Sequence, residues 1–232
     1  TDVGAVYRDL HAEHGVELHL GVGVEALRGH RVVEEVALTD GSTLAADLVV
    51  VGVGVTPRTE LAEAAGLVLD NGVAVDEHLC TSVAGVYAAG DVANAFHPFY
   101  DTRIRLEHWS AALNQGKAVA RSMLRKPMSY DHIPYFYSDQ YDLGMEYTGW
   151  APSWARVVFR GDPGAREFVA FWLDEAGRVL AGMNANVWEV TEAIEALARS
   201  RRPVDVGRLT DPDVPLASLV PPDASEGLSV PH

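Results

Sequence analysis

The spacing of apolar and polar residues in the first part of the chain predicts a helix followed by strands. Over Val3–His14 the apolar residues recur at helical spacing, and Gly15 can end that helix. A short run over Val16–Leu20 predicts a strand. Two further β-rich runs, Val32–Leu38 and Thr43–Val51, are separated by Thr-Asp-Gly-Ser, and an Asp-Gly pair between such runs favours a hairpin.

Two apolar runs lack the polar alternation of a half-exposed strand. Leu48–Val51 is continuously apolar, which predicts a strand covered on both faces of a doubly wound sheet. Val86–Ala89 predicts a second buried strand, which leads directly into Gly90 and Asp91. Between these runs, residues 66–75 favour a short β segment that turns at an Asn-Gly pair.

The second half of the chain changes from one long helix to an antiparallel pattern. A helix is predicted from Glu107 or Trp109 to Leu124, because it has a set of apolar residues that includes Ala111 and Ala118, and because the cations near its end suit the helix dipole. Another helix is predicted over Val190–Ser200, and the Pro-rich tail over residues 221–232 is expected to be poorly ordered. Between the helices, turn signals separate strands of an antiparallel sheet over Ala155–Arg160, Phe168–Leu173 and Val179–Met183. The pattern therefore predicts an α/β part followed by an α+β part.

Composition and charge narrow the classes of function. The 232 residues carry 33 acidic and 18 basic side chains, a net charge of −15, and only two lysines, so no basic footprint for nucleic acid is visible. No apolar run is long enough to span a membrane and no signal segment is recognised, which predicts a cytoplasmic protein without a membrane partner. Cys80 is the single cysteine, which excludes an internal disulfide and a CxxC redox pair. The nine histidines show no zinc-like spacing, so no metal site is predicted.

The clearest candidate for chemistry is the Gly90-Asp91 pair. Gly90 lets a bulky ligand approach the backbone, and Asp91 offers an acceptor at the carboxyl end of a predicted strand, where open α/β sheets bind ligands. Such a site suits a polyol. The alternative is that the Gly-Asp pair only ends a core strand.

Two stretches carry a resemblance to a known family. Residues 81–91 resemble the second FAD motif of two-dinucleotide flavoprotein reductases, T-x-x-x-x-[IV]-[YF]-A-x-G-D, in which the Asp holds the ribityl chain. Residues 47–61, which include Gly54, resemble the motif that connects the NAD-binding to the FAD-binding domain, h-h-h-x-G-x-x-P-N-[TS]-x-L. Arg58 stands where the motif has Asn. The resemblance implies that Gly54, Gly90 and Asp91 lie at cofactors.

Three further segments extend the resemblance. Residues 107–109 match an E-[HS]-W pattern, residues 134–140 resemble P-x-[FY]-[FW]-S-D-Q with Tyr137 where relatives carry Trp, and residues 184–188 resemble N-x-N-x-W. The resemblance implies that the helix after Glu107 stabilises reduced flavin, with Glu107 as the catalytic candidate and His108 and Trp109 close to the cofactor. Tyr137 and Trp188 would wall the flavin ring. The alternatives are a surface helix with a packing Trp109, and a buried core Trp188.

The family identified by these motifs is the FAD-dependent NAD(P)H:ferredoxin reductases, close to apoptosis-inducing-factor-like reductases, and the resemblance covers residues 1–220. Neither G-x-G-x-x-G fingerprint occurs in the 232 residues, so we interpret the chain as a C-terminal portion of a longer protein. Residues 1–50 would end the NAD(P)-binding domain, 51–126 would be the returning part of the FAD-binding domain, and 127–220 the C-terminal reductase domain. The first two parts would be incomplete Rossmann-like halves, so the isolated chain is expected to bind FAD and NAD(P)H weakly.

The resemblance implies electron transfer from NAD(P)H through FAD to a ferredoxin-type iron–sulfur protein. Ferredoxins are commonly acidic, so a chain at −15 requires a local basic surface for docking, formed by Arg103 with Arg105 or by residues 199–202. Two alternatives remain open. The electrons could pass to a small-molecule acceptor, or the chain could be a non-catalytic interaction domain that supports a homodimer.

Overall fold

The first 56 residues form a helix and a small antiparallel sheet. The computed structural model describes residues 2–222 and divides into two units between Thr56 and Pro57. The first unit contains α1 (Asp2–Glu13), β1 (Val24–Arg28), β2 (Glu35–Leu38) and β3 (Thr43–Ala45), with strand order β1-β2-β3. The predicted helix and hairpin are confirmed, and the Asp40 carboxylate accepts hydrogen bonds from the Ser42 amide and hydroxyl in the turn.

Two strand predictions in the first unit are wrong. Residues 16–20 form no ladder, and the predicted strand over Thr43–Val51 stops at Ala45. Leu48 and Val50 are 80% and 87% exposed rather than buried. Within residues 2–222 no strand lies beside either segment, so their backbone groups have no ladder partner. The strand β1 was not predicted, because its apolar residues are too few to stand out.

The second unit begins with a small mixed sheet. It contains α2 (Glu60–Ala64), β4 (Val73–Val75), β5 (Ala93–His97) and β6 (Thr102–Ile104). Strand β5 pairs in parallel with β4 and antiparallel with β6. The sheet packs against the long helix α3 (Trp109–Met123), which agrees with the predicted helix.

The predicted strand over Val86–Ala89 is wrong. The Thr81 hydroxyl and amide both donate to the Val86 carbonyl and close a tight turn, so the run joins no sheet beyond one bridge between Cys80 and Tyr87. Ala88 and Ala89 still pack against the core under α3. The paired strand, β5, begins only after the Gly-Asp pair. Consequently, the pair lies in the turn that leads into a strand rather than at the end of one.

An antiparallel sheet forms the remainder of the second unit. It has the order β7-β8-β11-β10-β9, and α4 (Thr191–Ser200), α5 (Val206–Thr210) and a 3-10 turn (Leu216–Leu219) pack on one of its faces. The core beneath them includes the fully buried Phe171 and Ile194. The strands are β7 (Tyr135–Gln140), β8 (Leu143–Gly149), β9 (Arg156–Asp162), β10 (Glu167–Leu173) and β11 (Val179–Ala185).

The predicted antiparallel strands and the helix that follows them are confirmed. Strand β8 was not predicted, because its glycines and its glutamate interrupt the apolar pattern. The expectation of a poorly ordered tail falls almost wholly on residues 223–232, which lie outside the described residues.

Candidate functional site

The Gly90-Asp91 turn is fastened to helix α3 by a buried amide. Gly90 has a left-handed backbone, with φ of +77°, and its N–H donates to the Gln115 Oε1 at 2.7 Å. Gln115 is 1% exposed and lies on the buried stripe of α3. A Cβ at Gly90 would lie 3.6 Å from the Ala112 Cβ, which is ordinary contact, so the glycine is required by its backbone angle rather than by crowding.

Arg105 connects two of the predicted site residues. Its Nη1 donates to the Asp91 carbonyl oxygen at 3.1 Å and forms a close ion pair with the Glu107 carboxylate. The Arg105 side chain is only 13% exposed, whereas Asp91 is exposed at the surface. Arg105 therefore fixes the segment between the Gly-Asp turn and α3, and its charge offsets that of Glu107.

His108 is the N-cap residue of α3. Its backbone is extended, and no side chain caps the helix through a hydrogen bond. The first-turn amides, with the positive end of the helix dipole, are thus available to an anionic or hydrogen-bond-accepting group. The His108 ring lies 5.7 Å from the Phe136 ring, and its Nδ1 is buried without a partner among the described residues. Burial lowers the pKa of His108, although the nearby Asp91 carboxylate opposes this effect.

The predicted aromatic residues are exposed. Trp109 is 69% and Tyr137 57% exposed. Successive strand residues point to opposite faces, so Phe136 meets His108 while Tyr137 lies on the face that carries Glu146. The structure therefore brings Phe136, rather than Tyr137, to the start of α3.

Trp188 is held over strand β8 instead of being buried in a core. The Asn186 amide donates to the Gly144 carbonyl at 2.9 Å, and the Gly144 amide donates to the Asn186 Oδ1 at 3.0 Å. A Cβ at Gly144 would lie 2.6 Å from the Trp188 Cη2, so only glycine leaves room for the indole. Trp188 is 54% exposed, which contradicts the alternative of a core tryptophan.

A hydrogen-bonded carboxylate supports the segment that carries Trp188. Glu146 accepts hydrogen bonds from the Tyr135 hydroxyl at 2.7 Å, the Asn184 amide at 2.8 Å and the Thr191 hydroxyl at 3.0 Å. Asn184 also donates to the Val187 carbonyl at 2.7 Å. Burial raises the pKa of Glu146, but the three hydrogen bonds together outweigh it and hold the pKa below its usual value.

Gly54 belongs to the first unit, whereas the other predicted site residues all belong to the second unit. It has a left-handed φ of +91°, and a Cβ there would meet nothing within 4 Å. Its backbone conformation accounts for the glycine.

Three other kinds of site would indicate a different function for residues 2–222: a metal site, a membrane-spanning helix and a reactive thiol. No group of three or more His, Cys, Asp or Glu side chains is arranged to hold a metal ion. No helix in this range is long and apolar enough to cross a membrane. Burial raises the pKa of the Cys80 thiol, which disfavours the reactive thiolate.

Two residues of this site were not predicted. Gln115 could have been found from its spacing, because Ala111, Gln115, Ala118 and Ser122 follow the helical repeat and place two polar side chains on the buried stripe. Arg105 was considered only as part of a docking surface. No local pattern shows that its guanidinium turns back to the chain, since that depends on the course of the backbone between Asp91 and Glu107.

Comparison with known proteins defines the family. Residues 1–116 match the pyridine nucleotide-disulphide oxidoreductases, and residues 135–220 match the reductase C-terminal domain. The chain belongs to this pyridine nucleotide-disulphide oxidoreductase family, whose members use FAD and NAD(P)H. The matches confirm the recognised family and the predicted fold class.

Among individual relatives, the chain is 35% identical over 221 residues to putidaredoxin reductase CamA of Pseudomonas putida, covering 94% of this chain and 52% of that protein. It is also 35% identical over 218 residues to the ferredoxin–NAD(+) reductase component of the anthranilate 1,2-dioxygenase system of Burkholderia cepacia, covering 94% and 54%. The chain thus spans about half the length of these curated relatives.

Solved structures show the same similarity. The ferredoxin reductase for the CYP199A2 system from Rhodopseudomonas palustris matches with a TM-score of 0.89 and 31% identity, over 95% of this chain and 55% of that one. The reductase in the covalent putidaredoxin reductase–putidaredoxin complex matches with a TM-score of 0.89 and 33% identity, over 98% and 54%.

Proposed function

We propose that the encoded protein is an FAD-dependent NAD(P)H:ferredoxin reductase. The observation that carries the proposal is that Gln115 fastens the Gly90-Asp91 turn to helix α3, and Arg105 fastens it to Glu107 just before the uncapped start of that helix. The family match of the chain supports the same interpretation. FAD, when bound, accepts a hydride from NAD(P)H and releases electrons singly. The chain's own residues position that cofactor and adjust the electrostatics around it.

The residues at this site fit a flavin with its polyol chain. Asp91 presents an exposed carboxylate that can accept hydrogen bonds from ribityl hydroxyl groups. The start of α3 favours negative charge on the reduced ring, and His108, whose pKa burial lowers, adds an orphaned ring nitrogen there. Glu107 alone would oppose that charge, but its ion pair with Arg105 neutralises it. Trp109 and Trp188 are exposed aromatic groups that can exclude water from the ring. Tyr137 is also exposed, but it lies on the strand face opposite the one on which Phe136 meets His108.

We propose that a ferredoxin-type iron–sulfur protein accepts the electrons, which the names of the relatives support. Of the arginines considered for docking, Arg103 donates to the carbonyls of Val75 and Asn94, and Arg199 pairs with Glu195. Arg105 is likewise bound to Glu107. The charges of Arg105 and Arg199 are therefore offset by carboxylates, whereas Arg103 is exposed and donates only to neutral carbonyls, so its positive charge remains available to a docking partner.

The proposal also includes the domain boundaries, the cellular location and the oligomeric state. Residues 1–50 end an NAD(P)-binding domain, 51–126 return to the FAD-binding domain, Gly54 lies at the crossing, and 127–220 form the C-terminal domain. The protein acts in the cytoplasm, for which its single unpaired thiol is suited, and it forms a homodimer through the C-terminal domain.

The test is an electron-transfer assay on the encoded protein. NADH and NADPH are each supplied with a [2Fe–2S] ferredoxin, and in parallel with a quinone or dioxygen as acceptor. Faster reduction of the ferredoxin supports the proposal. Equal or faster reduction of the small acceptors would show a different oxidoreductase, and a colourless protein that self-associates in sedimentation would show an interaction domain.

Asp91→Ala tests the assignment of the cofactor site. We expect at least a tenfold loss of retained flavin, because about 1.5–3 kcal/mol is lost with charge-assisted hydrogen bonds. Absorbance between about 300 and 550 nm measures the flavin. Asp213→Ala removes an exposed carboxylate from another turn and serves as the control. Equal flavin content in the two variants would remove Asp91 from the site.

A further inference from the structure

A second cleft lies between the β5–β6 turn and the far end of the antiparallel sheet. Its volume is about 360 Å³, and it is bordered by the end of α4, the β8–β9 loop and the β10–β11 turn. None of its lining residues belongs to the candidate cofactor site. The volume falls within the roughly 300–1,000 Å³ of small-molecule sites.

Three aromatic side chains form one wall of the cleft. Tyr100 lies edge-to-face with Phe99, at 4.8 Å between ring centroids, and edge-to-face with Trp150, at 5.3 Å. Such contacts hold each ring in a fixed orientation. The wall therefore offers rigid ring faces and edges to a planar apolar group.

A cation without an acidic partner borders the same wall. The Arg201 guanidinium lies 4.3 Å from the Phe99 centroid, and no described acid forms an ion pair with it. Arg199 also lies over Phe99, at 5.7 Å, but its charge is taken by Glu195 at 2.8 Å and by Asp131 at 3.8 Å. Arg201 is therefore the guanidinium at this ring that remains able to bind an added anion.

The other charged groups of the cleft compensate each other. The Asp174 carboxylate accepts from the Arg178 Nε at 2.6 Å, so this pair leaves little net charge. Burial raises the pKa of Tyr100, so its hydroxyl carries no negative charge that could offset Arg201. The cleft thus combines an aromatic wall with one net positive charge.

We propose that this cleft binds a small aromatic carboxylate. The carboxylate would accept hydrogen bonds from the Arg201 guanidinium, and the ring would pack against Phe99 and Trp150. A planar guanidinium matches the two oxygens of a carboxylate. The ligand needs both a carboxylate and an aromatic ring. The Arg201 guanidinium remains accessible beside Phe99 and binds the carboxylate, and the aromatic wall binds the apolar ring.

Benzoate is the probe, and titration calorimetry of the full chain is the measurement. We expect binding with a dissociation constant of about 1 mM or tighter, and at least tenfold weaker binding of neutral benzamide and of non-aromatic acetate. This comparison needs no variant. If benzamide binds as well as benzoate, or acetate binds as well as benzoate, the proposed pairing of ring and carboxylate is wrong.

Arg201→Gln should weaken benzoate binding at least tenfold. Arg125→Gln is a matched control, because Arg125 also follows a helix in the left-handed conformation, with φ of 58° against 50° for Arg201, and lies outside the cleft. Circular dichroism establishes that both variants are folded, and Arg201→Lys, which retains the charge, should bind more tightly than Arg201→Gln. Equal affinities of the two glutamine variants for benzoate would overturn the assignment to Arg201.

Discussion

At the scale of single residues, a buried histidine, His97, and a half-buried one, His132, link stability to pH. His97 is 2% exposed and its Nε2 lies 3.1 Å from the His132 carbonyl oxygen. Burial lowers the pKa of both His97 and His132, so the folded state favours their neutral forms. A histidine whose folded pKa is depressed contributes stability that is present above its unfolded pKa of about 6.5 and is lost as the pH falls below it.

We therefore predict that the free energy of unfolding decreases as the pH falls below about 6.5, by at most about 1.4 kcal/mol per pH unit for each histidine. Urea denaturation across that range measures the slope. His97→Gln should make the slope shallower because the titrating group is removed, whereas His30→Gln at an exposed position should leave it unchanged. The same slope in all three proteins would contradict the account.

A second prediction concerns the contact beneath Trp188. Gly144→Ala places a methyl group 2.6 Å from the indole, so the ring has to move, and we expect loss of stability of about 1–3 kcal/mol with a shift in tryptophan emission. Gly116→Ala is the counterpart on the exposed side of α3, where a methyl group meets nothing within 4 Å. That change should stabilise the protein by about 0.4–1 kcal/mol. Similar losses in both variants would show that crowding is not the cause.

At the scale of elements, the Glu146 cluster joins three strands, one of them β8 with Glu146 itself, and a helix. Strand β7 contributes Tyr135, β11 contributes Asn184, and α4 contributes Thr191, all of which donate to one carboxylate. Each partner comes from a different segment, so the cluster fixes how α4 lies on the sheet. It also supports the Val187 carbonyl next to Trp188.

Replacing this carboxylate with an amide should destabilise that junction. In Glu146→Gln the amide oxygen can still accept from Asn184 and Thr191, but the NH₂ group replaces Oε1, so the Tyr135 hydroxyl loses its acceptor and the remaining hydrogen bonds lose the negative charge. We expect a loss of about 1–3 kcal/mol in the free energy of unfolding. Glu175→Gln, in the exposed β10–β11 turn, changes the same charge without such partners. Chemical denaturation separates the two. An equal effect would mean that loss of charge alone is responsible.

The elements show which features the sequence could predict. Helix α3 and strands β9, β10 and β11 were predicted because each has a regular pattern and a turn signal on both sides. The run Val86–Ala89 is as apolar as a strand, yet the Thr81 turn removes it from the sheet, and that is a tertiary effect. The site divides in the same way. The Gly90-Asp91 pair is visible as a motif, whereas the Arg105 bridge depends on segments folding back on each other.

At the scale of the whole molecule, the first unit displays a long apolar surface. Leu48, Val50, Val51, Val53 and Val55 are between 66% and 90% exposed, and no strand pairs with them in the described chain. An extended, uncharged run with unpaired backbone groups can serve as a template for another chain. We therefore predict that the 232-residue chain self-associates through this run.

Val53→Lys should therefore raise the soluble fraction and lower light scattering at a given protein concentration. Leu61→Lys adds the same charge at an equally exposed apolar position, 88% against 90%, but in helix α2 outside the run. We expect the control to behave like the unchanged chain. Equal improvement from both substitutions would attribute the effect to net charge rather than to the extended run.

The bond between Gln115 and Gly90 has a consequence for any ligand that contacts both the turn and the start of α3. Because the buried Gln115 side chain joins the turn to the helix, the two contact regions are already aligned in the folded protein. The conformational entropy lost in aligning them is therefore a cost of folding and does not weaken ligand binding. The affinity of such a ligand thus depends partly on the hydrogen bond between Gln115 and Gly90. A substitution that removes this hydrogen bond would weaken binding even though every atom that touches the ligand is still present.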